Sequence, residues 1–275
     1  MAMSTTVHVQ RPLMATLFEA WLVGDDAEHL AAVGEAVLDE IERVESVLSR
    51  FDRAAELHRV NRAAAGGPTL VSRELFAVLQ ACLHHHDATR GYFDPCARTA
   101  VGLPFRAAVI FNAERRTIAF ANPNVELDLG GYGKGYALDQ AAKILDRYGV
   151  EQALLHGGTS SVLARGTAAD GGPWRVELRG ASDDVTLRDE ALSTSATFNA
   201  DDEPSDVINP TTGASVATAA AWTVVAPTAA EAEALSTALV AMGPDRAAAF
   251  VAETGPTWGE RVRIVGGPLP QQVSR

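Results

Sequence analysis

Leu127-Asp128-Leu129-Gly130-Gly131-Tyr132-Gly133-Lys134-Gly135-Tyr136-Ala137-Leu138-Asp139 places four glycines in six consecutive positions. Just before them, Val125 to Leu129 alternates apolar and acidic residues, which predicts a strand. Just after, Leu138, Ala141, Leu145 and Tyr148 recur at the spacing of one helix face. Glycines at such a junction let the main chain approach a ligand, and a helix N-terminus carries positive partial charge for an anion. Lys134 adds a full charge inside the loop, and Asp128 stands at its entrance, placed to hold a base, a ribose or a metal. The spacing is neither the G-x-G-x-x-G dinucleotide pattern nor a P-loop. From these residues alone two readings stand: an anion site, or a plain turn between strand and helix.

A chain of 275 residues is long enough to bury a sizeable core. With 47% hydrophobic and 21% charged residues it has the balance of a soluble globular protein. The net charge of -12 argues against a nucleic-acid partner held on a basic surface. It also means that a phosphate ligand needs a local basic site or a bound cation, which favours a divalent metal. The first ten residues hold no basic or apolar leader and no lipid-acceptor cysteine, and no run reaches the length of a membrane span, so a cytoplasmic protein is expected. Cys82 and Cys96 make no disulfide framework. Residues 1–11 are expected to be disordered and residues 266–275 to form a tail.

Along the chain, Ala15 to Val23 reads as a strand, and Asp25 or Asp26 caps a helix ending near Leu48. Ser72 caps another, to about Thr89. His84, His85 and His86 on that helix point about 100° apart and cannot converge on one ion. Two strands, 107–111 and 117–120, form a hairpin. Further strands are expected at 152–155, 173–178, 185–187, 191–193 and 221–226, with a last one at 261–265. Thr228 and Glu231 make a capping box that opens a helix, and residues 245–251 make another. Glu233 and Thr237, four residues apart, present both oxygens on one helix face. On its own, Glu233 also reads as a solvated helix residue.

Asp128-Leu129-Gly130-Gly131-x-Gly133-Lys134-Gly135-Tyr136-Ala137-x-Asp139 resembles the central motif of the ApbE family, the FAD:protein FMN transferases. The other family segments follow in order. Met14-Ala15-Thr16 stands where the family has Met-Gly-Thr. Ser49-Arg50-Phe51 and Glu56 to Asn61 are similar to a Ser-x-aromatic and Ser-Glu segment, with Ala55 for serine and Phe51 for tyrosine. Thr89-Arg90-Gly91-Tyr92-Phe93-Asp94-Pro95 matches Thr-x-Gly-x-Phe-Asp-Pro. His156-Gly157-Gly158 resembles a Gly-Gly turn, and Ala191 to Ala196 resembles Ala-x-x-Thr-Ser-Gly, ending in alanine. Ser205 to Gly213 resembles Ser-His-Ile-Ile-Asp-Pro-x-Thr-Gly, with Asp206 for histidine and Asn209 for aspartate. Glu233-Ala234-Leu235-Ser236-Thr237-Ala238 resembles Asp-Ala-Leu-Ser-Thr-Ala, with glutamate for aspartate.

The resemblance implies one α+β domain over residues 12–265, with mixed or antiparallel sheets and flanking helices; no Pro, Gly or Ser linker divides it. It implies that FMN is moved from FAD to a threonine or serine hydroxyl of an acceptor flavoprotein, releasing AMP. Phe51, Tyr92, Phe93 and Asp94 then line the flavin site with Ile208, Asp128 and Lys134 hold FAD, and Met14 touches flavin or is a core methionine. Glu233 and Thr237 bind Mg2+, with a backbone carbonyl near Gly131. Asp206 takes the place of a proton-handling histidine. The departures leave open an FAD-binding protein without transferase activity, a Mg2+-dependent FAD pyrophosphatase, or a plain interaction domain.

Overall fold

The computed structural model describes residues 4–178, 184–197, 207–216 and 221–266. It opens with a hairpin of β1 (Thr5–Leu13) and β2 (Thr16–Gly24). This corrects the disorder expected for residues 1–11, of which Thr5 onward lies in β1. The cause is the alternation in Thr-Thr-Val-His-Val-Gln, which puts Val7 and Val9 against the core while His8 and Gln10 face out. Helix α1 (Ala27–Leu48) lies so close to β1 that a Cβ on Gly34 would stand 2.8 Å from Val9.

The chain then runs through α2 (Glu56–Ala63), β3 (Thr69–Leu70), α3 (Arg73–Ala88) and α4 (Phe105–Ala108) to the hairpin β4 (Val109–Asn112) and β5 (Thr117–Phe120). Next come α5 (Gly133–Tyr148), β6 (Gln152–Gly157), β7 (Ser161–Arg165), β8 (Trp174–Val176), β9 (Val185–Leu187) and β10 (Ala191–Ala196). The last elements are β11 (Ala221–Ala226), α6 (Ala229–Met242), α7 (Pro244–Trp258) and β12 (Arg263–Gly266). Seven strands form one antiparallel sheet in the order β1-β2-β6-β7-β10-β11-β12. Helices α1, α5 and α6 pack on one face of it. On the other face, Trp174, Val176, Val185 and Leu187 of the β8–β9 hairpin cover Val23, Leu154, Val162 and Val225. This is the expected single α+β domain.

Caps decide where the helices begin. Asp26 accepts from the N–H groups of Glu28 and His29, and Ser72 from that of Leu75, each at 3.0 Å. At α6 only half of the expected box forms. Thr228 accepts from Glu231 N at 3.2 Å, while the Glu231 carboxylate pairs with Arg261 instead.

Two expectations around the glycine segment are corrected. Val125 to Leu129 is extended but pairs with no strand. Its backbone bonds go to side chains and a loop: Asn61 brackets Leu127 with two 2.9 Å bonds, Thr99 Oγ1 serves Glu126, and Asp128 N donates to Pro95 O. Alternation marks an extended, half-buried segment, and an extended segment joins a ladder only where a neighbouring strand supplies partners. The glycine loop is also shorter than expected. Gly130 and Gly131 precede α5, whereas Gly133, Lys134 and Gly135 form its first turn. Tyr148 leaves the buried face of that helix and is 47% exposed. No helix among the described residues is long and apolar enough to cross a membrane.

Candidate active site

The first turns of α5 and α6 meet. Asp139 accepts from the N–H groups of Ala229 and Ala230, at 2.8 and 3.0 Å, so its carboxylate from α5 caps the start of α6. Gly135 permits the approach, since a Cβ there would lie 2.3 Å from Ala229 O. Glu233, 2% exposed on α6, then reaches back across: Oε2 accepts from Gly135 N at 2.6 Å, and Oε1 pairs with Lys134 Nζ. One turn further, Thr237 packs on Gly131, where a Cβ would stand 3.0 Å from its Oγ1. Residues 99 positions apart are thus joined at one point.

A cavity of about 520 Å³ opens there. Phe51, Tyr92, Phe93, Asp94, Asp128, Gly131, Lys134, Ile208, Glu233 and Thr237 all line it. Met14 lines a second, more apolar cavity of about 570 Å³. The two share Arg50, Phe51, Asp128, Gly130 and Lys134. Asp206 lies outside the described residues.

Contacts refine what each residue can do. Asp128 is pinned, with Oδ1 accepting from Gly130 N at 2.9 Å and Oδ2 lying 3.1 Å from Arg50 Nε and 3.6 Å from Arg98 Nε. These two arginines line the cavity as well, and reasoning from sequence singled out neither. Arg50 sat inside a segment noted for its aromatic, while nothing around Arg98 signals an anion site. The Arg50 guanidinium also lies 4.1 Å from the ring centre of Phe51, which is 77% exposed at the mouth.

Asp94 is turned inward. Its two oxygens accept from Cys96 N at 2.7 Å and Phe105 N at 3.0 Å, and burial raises its pKa. Its carboxylate therefore sets the shape of the turn that carries Tyr92 and Phe93. His86 Nδ1 donates to Phe93 O at 3.0 Å and braces the same turn. His85 packs edge-on to Phe93 and tilted against Tyr132, and burial pushes its pKa down to about 4, so it is neutral at pH 7. The three adjacent histidines serve separate ends, as helical spacing requires. Asn209 is likewise a turn-former. Its Oδ1 accepts from Thr211 N and Thr212 N, while its Nδ2 donates to Ala241 O at 3.0 Å, a bond an aspartate there has no proton to make.

The acceptors around Lys134 Nζ are both oxygens: Glu233 Oε1 and, at 3.4 Å, Gly130 O. Thr237 Oγ1 lies on the adjoining turn of the same helix. One carboxylate, one hydroxyl and backbone carbonyls fit a small hard cation that completes its shell with water and phosphate. Among the described residues no three His, Cys, Asp or Glu side chains gather to build a closed protein cage.

The family described as ApbE matches residues 3–257. The FAD:protein FMN transferase of Klebsiella pneumoniae (strain 342) is 28% identical, over 92% of this chain and 83% of that protein. That of Escherichia coli (strain K12) is 26% identical, over 88% of this chain and 80% of its own. Among solved structures, the ApbE protein from Thermotoga maritima superposes with a TM-score of 0.81 at 21% identity, covering 95% of this chain and 94% of that one. The flavin transferase ApbE from Vibrio cholerae gives 0.75 at 22%, with 92% of each chain covered. These two share the fold described above.

Proposed function

The chain belongs to the ApbE family, and on that premise we propose that it is an FAD:protein FMN transferase, moving FMN from FAD to a threonine or serine hydroxyl of an acceptor flavoprotein, with Mg2+, and releasing AMP. The observation that carries this reading is the junction of the 128–135 segment with Glu233 and Thr237 on the wall of one cavity. FAD has two flat ring systems joined by a diphosphate. Two cavities that meet at Arg50, Asp128, Gly130 and Lys134 suit such a ligand, with charged groups where the cavities join.

In the transfer, the acceptor hydroxyl oxygen bonds to the FMN phosphorus as the bond to the AMP oxygen breaks. The task is alignment and charge neutralisation. Mg2+ held by Glu233, Thr237 and a nearby backbone carbonyl would supply positive charge at the phosphate oxygens. Lys134, Arg50 and Arg98 supply the fixed positive charge in a chain of net charge -12. Buried Phe93 makes part of the cavity wall and keeps water from that side. Asp206 is the candidate acceptor for the hydroxyl proton.

Incubation with FAD, Mg2+ and an acceptor domain is expected to give a covalently fluorescent acceptor band, and Glu233→Ala is expected to abolish it. A fully active Glu233→Ala enzyme would remove the metal assignment. Aspartate at 206, where relatives with the motif carry histidine, favours a second reading in which water replaces the acceptor hydroxyl. Release of FMN and AMP from FAD without any acceptor, at the same rate as with one, would support it.

A further inference from the structure

The cavity wall between β10 and α6 holds a line of hydroxyls. Ser195 Oγ lies 3.3 Å from Thr237 Oγ1 and 2.9 Å from Ser236 Oγ. Ser236, fully buried, has two acceptors in reach: the Glu233 carbonyl at 3.1 Å and Ser193 Oγ at 3.2 Å.

A serine has one proton to give. In both contacts whose direction is set Ser236 is the donor, and with its proton there it meets Ser195 with a lone pair. Ser195 therefore donates to Ser236 and meets Thr237 as an acceptor. Thr237 in turn gives its proton to Ser195. A helical threonine ordinarily donates to the carbonyl one turn back, and here Ser195 Oγ, 3.3 Å away, offers another acceptor. With its proton directed into the wall, Thr237 presents bare oxygen lone pairs toward the cavity that it shares with Glu233 and Gly131. A cation needs a ligand in that orientation, because a proton pointing at it repels it.

We propose that Ser195 and Ser236 are positioning residues: a one-way chain of hydroxyls, Thr237 to Ser195 to Ser236, that turns the Thr237 oxygen toward a divalent cation. The inference rests on the reading of Thr237 as a cation ligand given above. It extends that reading to two residues outside the proposed ligand set, of which Ser195 lines the cavity and Ser236 is buried behind it. Groups that orient a metal ligand through a hydrogen bond typically matter ten- to a hundredfold in metal affinity, roughly.

The test is Mn2+ binding to the full chain in the presence of FAD, followed by the electron paramagnetic resonance signal of free Mn2+. Ser195→Ala and Ser236→Ala are each expected to weaken binding about tenfold. In Ser236→Ala, whose side chain does not line the cavity, FAD affinity measured in chelator stays at the wild-type value. In a Thr237→Ala background, Ser195→Ala is expected to add nothing, since the chain acts only through Thr237. Wild-type Mn2+ affinity in both serine variants, with a loss in Thr237→Ala, would overturn the chain and leave the metal reading standing. An additive loss in the double variant would assign Ser195 a merely structural part and also overturn it. Undiminished binding in Thr237→Ala would remove the metal reading itself, and the chain with it.

Discussion

Lys134 and Glu233 show how far a residue's role depends on its neighbours. In the sequence Lys134 reads as a charge placed for an anion and Glu233 as a helix carboxylate. In the fold they are one ion pair, with Glu233 at 3% side-chain exposure and Lys134 at 25%. The ammonium therefore balances the charge of the buried carboxylate. Removing one partner of such a pair leaves a buried charge unpaired. Lys134→Met is expected to cost about 3 kcal/mol, at the low end for buried pairs because Lys134 is partly exposed. Urea unfolding monitored by tryptophan fluorescence would measure it, and a change below about 1 kcal/mol, the size of an exposed pair, would contradict the assignment. Most of the candidate residues were legible one by one, because a motif ties residue type to position. Arg50 and Arg98 were not, because their importance comes from converging on Asp128 across the fold.

At the scale of elements, glycine and alanine carry the strongest constraints. The turn between β1 and β2 holds Met14 at φ 49° and Ala15 at φ 59°. A two-residue hairpin turn wants that hand of backbone, and glycine adopts it without strain. Ala15→Gly is expected to raise stability by about 0.5 kcal/mol, the relief of left-handed strain less the added freedom of the unfolded chain. A shift of the melting temperature upward checks it, and a fall would mean that the alanine methyl group matters more than the strain. Gly135 constrains the opposite case. Sequence reasoning gives its missing side chain to a ligand, whereas the structure gives the space to the backbone of α6. Gly135→Ala must push the two helices apart at Ala229. It is expected to destabilise by about 3 kcal/mol or more and to weaken FAD binding, measurable by flavin fluorescence quenching. Unchanged stability and binding would show that α6 yields freely.

For the whole molecule, the join between α5 and α6 couples the site to global stability. Burial raises the Asp139 pKa from 3.8 to about 6, against the two backbone N–H groups that lower it. Between those values the folded chain keeps a proton that the unfolded chain has lost. Stability from this group is therefore full below pH 3.8 and falls as pH rises through about 6. Asp139→Asn removes the titration at the cost of one capping bond. The stability of wild type minus that of Asp139→Asn is expected to fall by up to about 3 kcal/mol between pH 4 and 7. Chemical denaturation of both proteins across that range would read it, and a flat difference would place the pKa near its ordinary value.

Local patterns in the chain were enough for the long capped helices and most strands, and the family motifs for the α+β class and the candidate site residues, because periodicity, caps and motifs act over a few residues. Only the tertiary structure decided which extended segments joined a sheet and that residues 5–11 became a strand. It also decided that Gly135 serves a helix contact, and that Glu233 answers to Lys134. Those outcomes depend on partners distant in sequence, and packing chooses partners by shape and charge once the local elements exist.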